Sequence, residues 1–309
     1  MYSSRFFLRI YITPQFNLFF SQYLCYTNDM TIILDGKKLR DKLLAQLEQR
    51  IKKLSTPPSL AVILVGEDPA SQIYVNNKKK AAEKIGINSI VINLPDTIGE
   101  EELIEKIEEL NNDSDITAIL VQLPLPKHID KTKIINCIKP EKDVDGFTVA
   151  NFGRLFSCQK PYVYPCTPKG ILLLLDEYNI NLEGQHVVII GRSNIVGRPL
   201  SQMILNRNAT VTICHSHTKN LASITKTADV LISAVGEKII EENMLKSDCI
   251  VVDVGIFKDE TGKTRGDVDF EKVSPITSYI TPVPGGIGPM TIASLMINTV
   301  ELYNLQHSE

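Results

Sequence analysis

The sequence predicts an α/β protein of two domains, each built on a parallel sheet. Three observations predict it. Short, β-branched-rich apolar runs alternate with helical stretches, the alternation occurs in two separate series, and a connection containing proline and aromatic residues divides them. The runs are continuously apolar, as in strands that crossover helices cover on both faces.

The first series opens at LAVILVG (60–66) and passes through an amphipathic stretch to Ile85. It continues with SIVINL (89–94), a charged helical stretch (100–111) and ITAILVQL (116–123), a β-α-β-α-β order. The connection runs roughly from 151 to 168, and Leu182, Glu183 and Gly184 mark a turn after it. The second series comprises HVVIIG (186–191), ATVTIC (209–214), DVLISAVG (229–236) and CIVVDVGI (249–256), with helical stretches between the first three. It predicts a second doubly wound, Rossmann-like unit. Segment 281–291, TPVPGGIGPMT, is too rich in proline and glycine for a strand or helix and reads as a stiff loop. Beyond it Ile292, Leu295, Met296, Thr299, Val300 and Tyr303 recur at helical spacing. A terminal helix with an apolar face is expected there, returning to complete the first domain. The expected boundaries are an extension at 1–29, a first domain at 30–150 plus 291–309, and a second at 151–290.

A chain of 309 residues with 43% hydrophobic and 22% charged residues can bury ordinary cores without covalent staples. The net charge of -3 and the lack of any basic run longer than Lys78-Lys79-Lys80 argue against a nucleic-acid partner. Six cysteines without a C-x-x-C pair read as reduced, mostly buried thiols, and no metal site is expected. The first 29 residues hold nine of the twenty aromatic residues and one acidic residue, Asp29. Arg5, Arg9 and Pro14 keep their apolar stretches short of the roughly 18 residues of a membrane span, so no membrane partner is expected. This extension reads as an upstream start with Met30 as the true beginning, the alternative being a targeting peptide. With Met30 as the start, the expected location is the cytoplasm.

Past the strand ending at Ile190 comes Gly191-Arg192-Ser193-Asn194-Ile195-Val196-Gly197-Arg198-Pro199, a glycine turn placed where a helix N terminus accepts a phosphate. Ser193 stands where the usual nucleotide fingerprint has its second glycine, so the loop alone is a weak signal. Its strand, loop and helix context strengthens it. The next strand ends at Cys214-His215-Ser216-His217-Thr218, without the carboxylate that would bind free ribose hydroxyls. Arg192, Ser216 and His215 suit a 2′-phosphate, so NADP is expected over NAD. The plainer reading of Gly191 and Gly197 is close packing of strand and helix.

In the first domain Asp68 caps a helix with Pro69 at its first position, and Ser71, Tyr74 and Lys78 follow at i, i+3 and i+7 on one face. Gln122 ends the third strand before Leu123-Pro124-Leu125-Pro126. Asp143 and Asp145 precede the domain junction, where Asp145 is suited to accept paired hydrogen bonds from an amino-heterocycle. Singly, these segments read as a solvated helix face, a strand end and a turn.

Taken together, SQIYVNNKKKAAEKIGI, VQLPLP, PEKDVDGF, PCTPKG, GRSNIVGRP and TPVPGGIGPMT, in this order, resemble the bifunctional methylenetetrahydrofolate dehydrogenase/methenyltetrahydrofolate cyclohydrolase family over about residues 31–305. The resemblance implies NADP-dependent oxidation of 5,10-methylenetetrahydrofolate to the methenyl cation and its hydrolysis to 10-formyltetrahydrofolate, reversibly, in one-carbon metabolism. It makes the first domain folate-binding and catalytic and the second NADP-binding. It places the catalytic lysine at Lys78, the tuning glutamine at Gln122, the substrate-contacting tyrosine at Tyr74 and the pterin-binding aspartate at Asp145. Folate contacts fall on Val121 and Leu123 beside Gln122, and on Pro284, Gly285, Gly286, Ile287 and Gly288. Cofactor contacts fall on Gly191, Arg192, Ser193, Ser216 and Ile256. Tetrahydrofolate derivatives are the implied small-molecule partners, and the implied assembly is a homodimer. The alternatives are a dehydrogenase of the same family without the hydrolase step, and a non-catalytic NADP-binding regulator.

Overall fold

In the computed structural model, which describes residues 31–307, β1 (Ile32–Ile33) leads into α1 (Gly36–Ile51). Asp35 caps α1, its carboxylate accepting from the Lys38 N–H at 2.9 Å. The expectations for residues 1–29 and for a start at Met30 lie outside the described residues. The first parallel sheet is built from β2 (Ser59–Val65), α2 (Pro69–Ile85), β3 (Asn88–Leu94), α3 (Glu100–Asn112) and β4 (Ala118–Val121), with strand order β3-β2-β4. Asp68 caps α2, and Gly86 ends it at φ 90°. Two corrections concern the strands. β4 is only the middle of 116–123, and β3 keeps Ile90 and Asn93 exposed although its sequence is continuously apolar around them. β3 has a strand neighbour on one side only, and an edge receives less cover than the middle of a sheet.

α4 (Lys131–Cys137), α5 (Val149–Phe156) and α6 (Cys166–Glu177) follow. The connection at 151–168 is therefore more regular than its composition suggests. The Thr148 hydroxyl accepts from the Asn151 N–H to start α5, and α6 tolerates Pro168 because the first turn of a helix has N–H groups without intrahelical partners. The second sheet contains β5 (His186–Ile190), α7 (Gly197–Leu205), β6 (Thr210–Cys214), α8 (Leu221–Thr225), β7 (Val230–Ser233) and β8 (Cys249–Asp253). After the small antiparallel hairpin β9 (Phe257–Lys258) and β10 (Thr264–Arg265) come α9 (Phe270–Val273), β11 (Thr277–Ile280) and α10 (Ile287–Gln306). The six strands run parallel in the order β1-β11-β8-β7-β5-β6. β1 and β11 are too short to carry a readable periodicity, and both were invisible in the sequence pattern.

Residues 287–291, expected as loop, form the first turn of α10. Pro289 is accepted there for the same reason as Pro168. α10 belongs to two cores. Ile287 and Met290 pack among Leu34, Leu39, Ile171 and Ile189, whereas Leu295, Met296, Val300 and Leu302 pack among Leu44, Leu60, Val62 and Leu120. α1 bridges the same two cores with Leu39 on one side and Leu44 and Leu47 on the other. Among the described residues the cysteines are free thiols; Cys166, Cys214 and Cys249 are buried, and Cys158 is exposed. No helix among the described residues is long and apolar enough to cross a membrane.

One polar group inside this packing does structural work. Asn298 of α10 is fully buried; its Nδ2 donates to the carbonyls of Val144 at 2.8 Å and Tyr164 at 2.9 Å, and its Oδ1 accepts from Lys169 Nζ at 2.8 Å. Asn298→Leu keeps the volume close but takes the amide donor from two buried carbonyls and leaves Lys169 with Glu301 as its remaining acceptor. We expect a loss of about 3 kcal/mol in unfolding free energy, measured by urea titration, because unsatisfied buried groups cost about 1–3 kcal/mol each with partial relaxation.

Candidate active site

α2 carries Tyr74 and Lys78 on adjacent turns, and β4 delivers Gln122 just past its last residue. Lys78 Nζ donates to Gln122 Oε1 at 2.9 Å, while Gln122 Nε2 donates to the Leu123 carbonyl at 2.6 Å. The amide is thereby oriented, its oxygen toward the lysine and its nitrogen committed to backbone. Gln122 is buried and Lys78 half-buried, whereas Tyr74 is 50% exposed, free to lie against a flat ligand. Ser71, expected on the same face, is turned into the core with its N–H on the Asp68 cap.

The two carboxylates of the DVD segment have different fates. A parallel bridge between Ile119 of β4 and Asp143 places Asp143 beside that edge of the sheet, with Asp145 two residues further on in the turn. The Asp143 carboxylate is buried and accepts from the N–H groups of Gly146 and Thr148 and from Asn151 Nδ2, so it holds the turn. Asp145 stays half-buried. Burial pushes its carboxyl above the ordinary value, the Lys78 ammonium pulls it down, and the Asp143 charge pushes it up. Lys78, Gln122 and Asp145 thus form one electrostatically coupled group.

In the second sheet the strand order reverses at β5, with β6 on one side and β7 on the other, the switch point at which open α/β sheets bind ligands. A Cβ on Gly197 would lie 2.0 Å from the Gly191 carbonyl oxygen, so these glycines first of all let α7 approach the turn. The Ser193 hydroxyl accepts from the Val196 N–H, and Arg198 Nη1 donates to Asn194 Oδ1. Arg192 is exposed and makes no ion pair among the described residues. Its charge reaches His215, whose imidazole is held below the ordinary value by burial first and then by Arg192 and His217. Ser216 is exposed in the turn that Thr218 closes onto His215. A free guanidinium beside a hydroxyl and an imidazole fits a phosphate on the ribose. Ile195, Val235 and Ile256, each more than two-fifths exposed, stand on the loops after β5, β7 and β8 and suit the flat faces of a dinucleotide. Ile195 and Val235 were missed in the sequence; an apolar residue within the loop that follows a strand was the available signal.

The loop before α10 forms a third group. Lys37 N–H donates to the Gly285 carbonyl, tying the loop to the start of α1. Pro284 and Gly288 are exposed, and a Cβ on Gly288 would stand 3.8 Å from Ile256 Cδ1, so the expected folate-side and cofactor-side segments meet there. The Ile287 and Val121 side chains lie in the cores. A contact of either with a ligand would therefore run through its backbone. Among the described residues no group of three or more His, Cys, Asp or Glu stands close enough to hold a metal ion.

Residues 34–145 match the model of the tetrahydrofolate dehydrogenase/cyclohydrolase catalytic domain, and residues 165–307 match that of its NAD(P)-binding domain. The chain belongs to this family. It is 53% identical over 274 residues to the bifunctional protein FolD of Ligilactobacillus salivarius, covering 87% of this chain and 96% of that protein. Among solved structures, the bifunctional FolD of Campylobacter jejuni superposes with a TM-score of 0.87 at 50% identity, covering 89% of this chain and 99% of that one. The Trypanosoma brucei enzyme, solved with NADP cofactor and an inhibitor, gives 0.86 at 33% identity over 90% of this chain and 99% of that one. The division into a catalytic and an NAD(P)-binding domain is that of the family.

Asp253, at the end of β8, borders the recess formed with Ile256, Val283 and Pro284. Its buried carboxylate accepts from the N–H groups of Gly255, Asp267 and Val268. Burial outweighs these donors and pushes it up to about 7. A carboxyl raised on folding binds more protons in the native than in the unfolded state, so its contribution to stability falls as pH rises from about 4 to about 7 and is flat above. Wild type is expected to lose about 2–3 kcal/mol more than Asp253→Asn between pH 5 and pH 8, read from urea unfolding of both proteins at each pH.

Proposed function

We propose that this chain oxidises 5,10-methylenetetrahydrofolate with NADP and hydrolyses the methenyl cation to 10-formyltetrahydrofolate, both steps reversible and both served by the Lys78 group. The observation that carries the reading is the Lys78–Gln122 hydrogen bond beside the half-buried Asp145, on the first sheet of a chain whose second sheet offers a dinucleotide crevice.

Asp145 anchors the amino-pyrimidine edge of the folate through paired hydrogen bonds, and Tyr74 lies against its ring system. Arg192, Ser193 and Ser216 hold the phosphate end of NADP, and Ile256 flanks its other end. NADP, when bound, takes up the hydride. The carbon that loses it is flanked by two nitrogens, so the cation left behind is delocalised and the step depends on orientation more than on a base. Hydrolysis differs. Water adds to the cationic carbon and loses a proton; the bond to N5 then breaks as N5 gains a proton and the remaining hydroxyl gives up its own to become the formyl carbonyl, so one proton is released overall. Lys78 Nζ, oriented by Gln122, is the group that moves the proton. Pro284, Gly285 and Gly288 border the folate beside Ile256, and Gly191 opens the phosphate turn.

The domain limits that fit this reading are 30–150 plus 291–309 for folate and 151–290 for NADP. We also infer a homodimer, supported by the unpaired edge of β3, and a cytoplasmic location, supported by the bacterial relatives.

Mixing the protein with 5,10-methylenetetrahydrofolate and either NADP or NAD, while following reduced cofactor, methenyl and formyl products, tests the assignment. Formyl product with preferential NADP reduction is expected; accumulating methenyl product would restrict it to a dehydrogenase. Lys78→Met is expected to lower cyclohydrolase kcat by at least about a hundred-fold, and full retention would remove Lys78 from proton transfer. For Asp145→Ala a rise of about ten-fold or more in the folate KM is expected, with the NADP KM nearly unchanged.

A further inference from the structure

Asp267 belongs to neither the Lys78 group nor the Arg192 group, yet it is fully buried and saturated with hydrogen bonds. Its Oδ2 accepts from Ser233 Oγ at 2.7 Å and the Val235 N–H at 2.9 Å; its Oδ1 accepts from the N–H groups of Gly236 at 2.9 Å and Glu237 at 3.0 Å. Its carbonyl takes the N–H groups of Ile239 and Ile240, and its own N–H donates to Asp253 Oδ1. The segment after β7 is therefore wound around a single residue from a distant hairpin.

The segment after β8 is fitted against the same carboxylate. A Cβ on Gly255 would lie 1.7 Å from Asp267 Oδ1, a contact only glycine permits, and one on Gly236 would lie 3.7 Å from the Ile256 carbonyl oxygen. Asp267 thus spaces two abutting loops that present Val235 and Ile256 to the crevice, both more than two-fifths exposed. β7 and β8 lie on the side of β5 opposite β6, and it is the β6 side that carries Ser216. A dinucleotide laid across the switch point with its ribose phosphate at Ser216 has its nicotinamide against Val235 and Ile256.

We propose that Asp267 is a positioning residue for hydride transfer: by holding the 235–237 and 254–256 loops in one spacing it sets the wall against which the nicotinamide lies. The proposal rests on the NADP reading of the Gly191 crevice. It separates the two activities, because hydrolysis of the methenyl cation needs no nicotinamide, whereas hydride transfer loses about a hundred-fold for a misplacement near 1 Å.

The test uses the full chain with Asp267→Asn, which keeps the shape but turns an amide donor toward N–H donors. Three quantities are measured: dehydrogenase kcat and NADP KM, cyclohydrolase kcat/KM in the absence of NADP, and amide hydrogen exchange of Val235, Gly236 and Glu237 without ligands. The expected result is a drop of about ten-fold or more in dehydrogenase kcat/KM for NADP, cyclohydrolase within about two-fold of wild type, and faster exchange confined to the 235–237 amides. Parallel loss of both activities, or no change in either, overturns the proposal. Should Asp267→Asn fail to fold, Ser233→Ala removes one of the four bonds. It is expected to raise the NADP KM about three-fold without affecting hydrolysis, and an unchanged KM overturns the proposal. Wild-type protein without NADP turnover would sink the functional reading and this proposal with it, whereas normal wild-type turnover with unaltered variants sinks only this proposal.

Discussion

The burial of α10 against both sheets is the constraint on which the remaining geometry depends. The helix begins at Ile287, directly after the loop carrying Pro284 and Gly285, and four side chains further along it belong to the other core. Eleven residues on, Asn298 grips the Val144 carbonyl and thereby the turn that presents Asp145. Over that interval a helix rises roughly 16 Å, so a rigid rod sets the distance between the folate-side loop and the aspartate. α1 repeats the arrangement, reaching one core with Leu39 and the other with Leu47.

Buried carboxylates provide the second level of order. Asp143 lies in a bridged turn, Asp253 at the end of β8 and Asp267 just past the β9–β10 hairpin, and each accepts several N–H groups that the surrounding loop cannot pair internally. Such loops would otherwise leave buried donors unsatisfied. Asp145 has the same side chain two residues from Asp143, but it remains half-buried and electrostatically coupled to Lys78. Whether a carboxylate serves the fold or the chemistry is decided by how many backbone donors converge on it.

The two reactions make unequal demands on this frame. Hydride transfer asks for two planar rings to be held in register, a role proposed above for exposed apolar side chains on firmly tied loops. Hydrolysis asks for a proton to be moved at one place, a role proposed above for Lys78, which Gln122 orients. On that reading one chain serves both because Lys78 stands at the folate in either step, while the nicotinamide is held by other residues.

By itself the sequence determined the α/β class, the two parallel series and the six segments that carry the chemistry, since period, strand-ending prolines and glycine turns are local signals. Lys78, Gln122 and Asp145 could be named as candidates, but the hydrogen bond to Gln122 and the charge felt by Asp145 join Lys78 to positions 44 and 67 residues away, a spacing that no local pattern encodes. The same holds for β1 and β11, which exist because strands of two and four residues find partners in a sheet already formed. Only the tertiary structure decided that Ile287 and Val121 pack inward, that Asp143 is spent on its own turn while Asp145 is left open, and that Asp267 holds two loops together. Each of those outcomes depends on which groups converge in space, and convergence is a property of packing rather than of order along the chain.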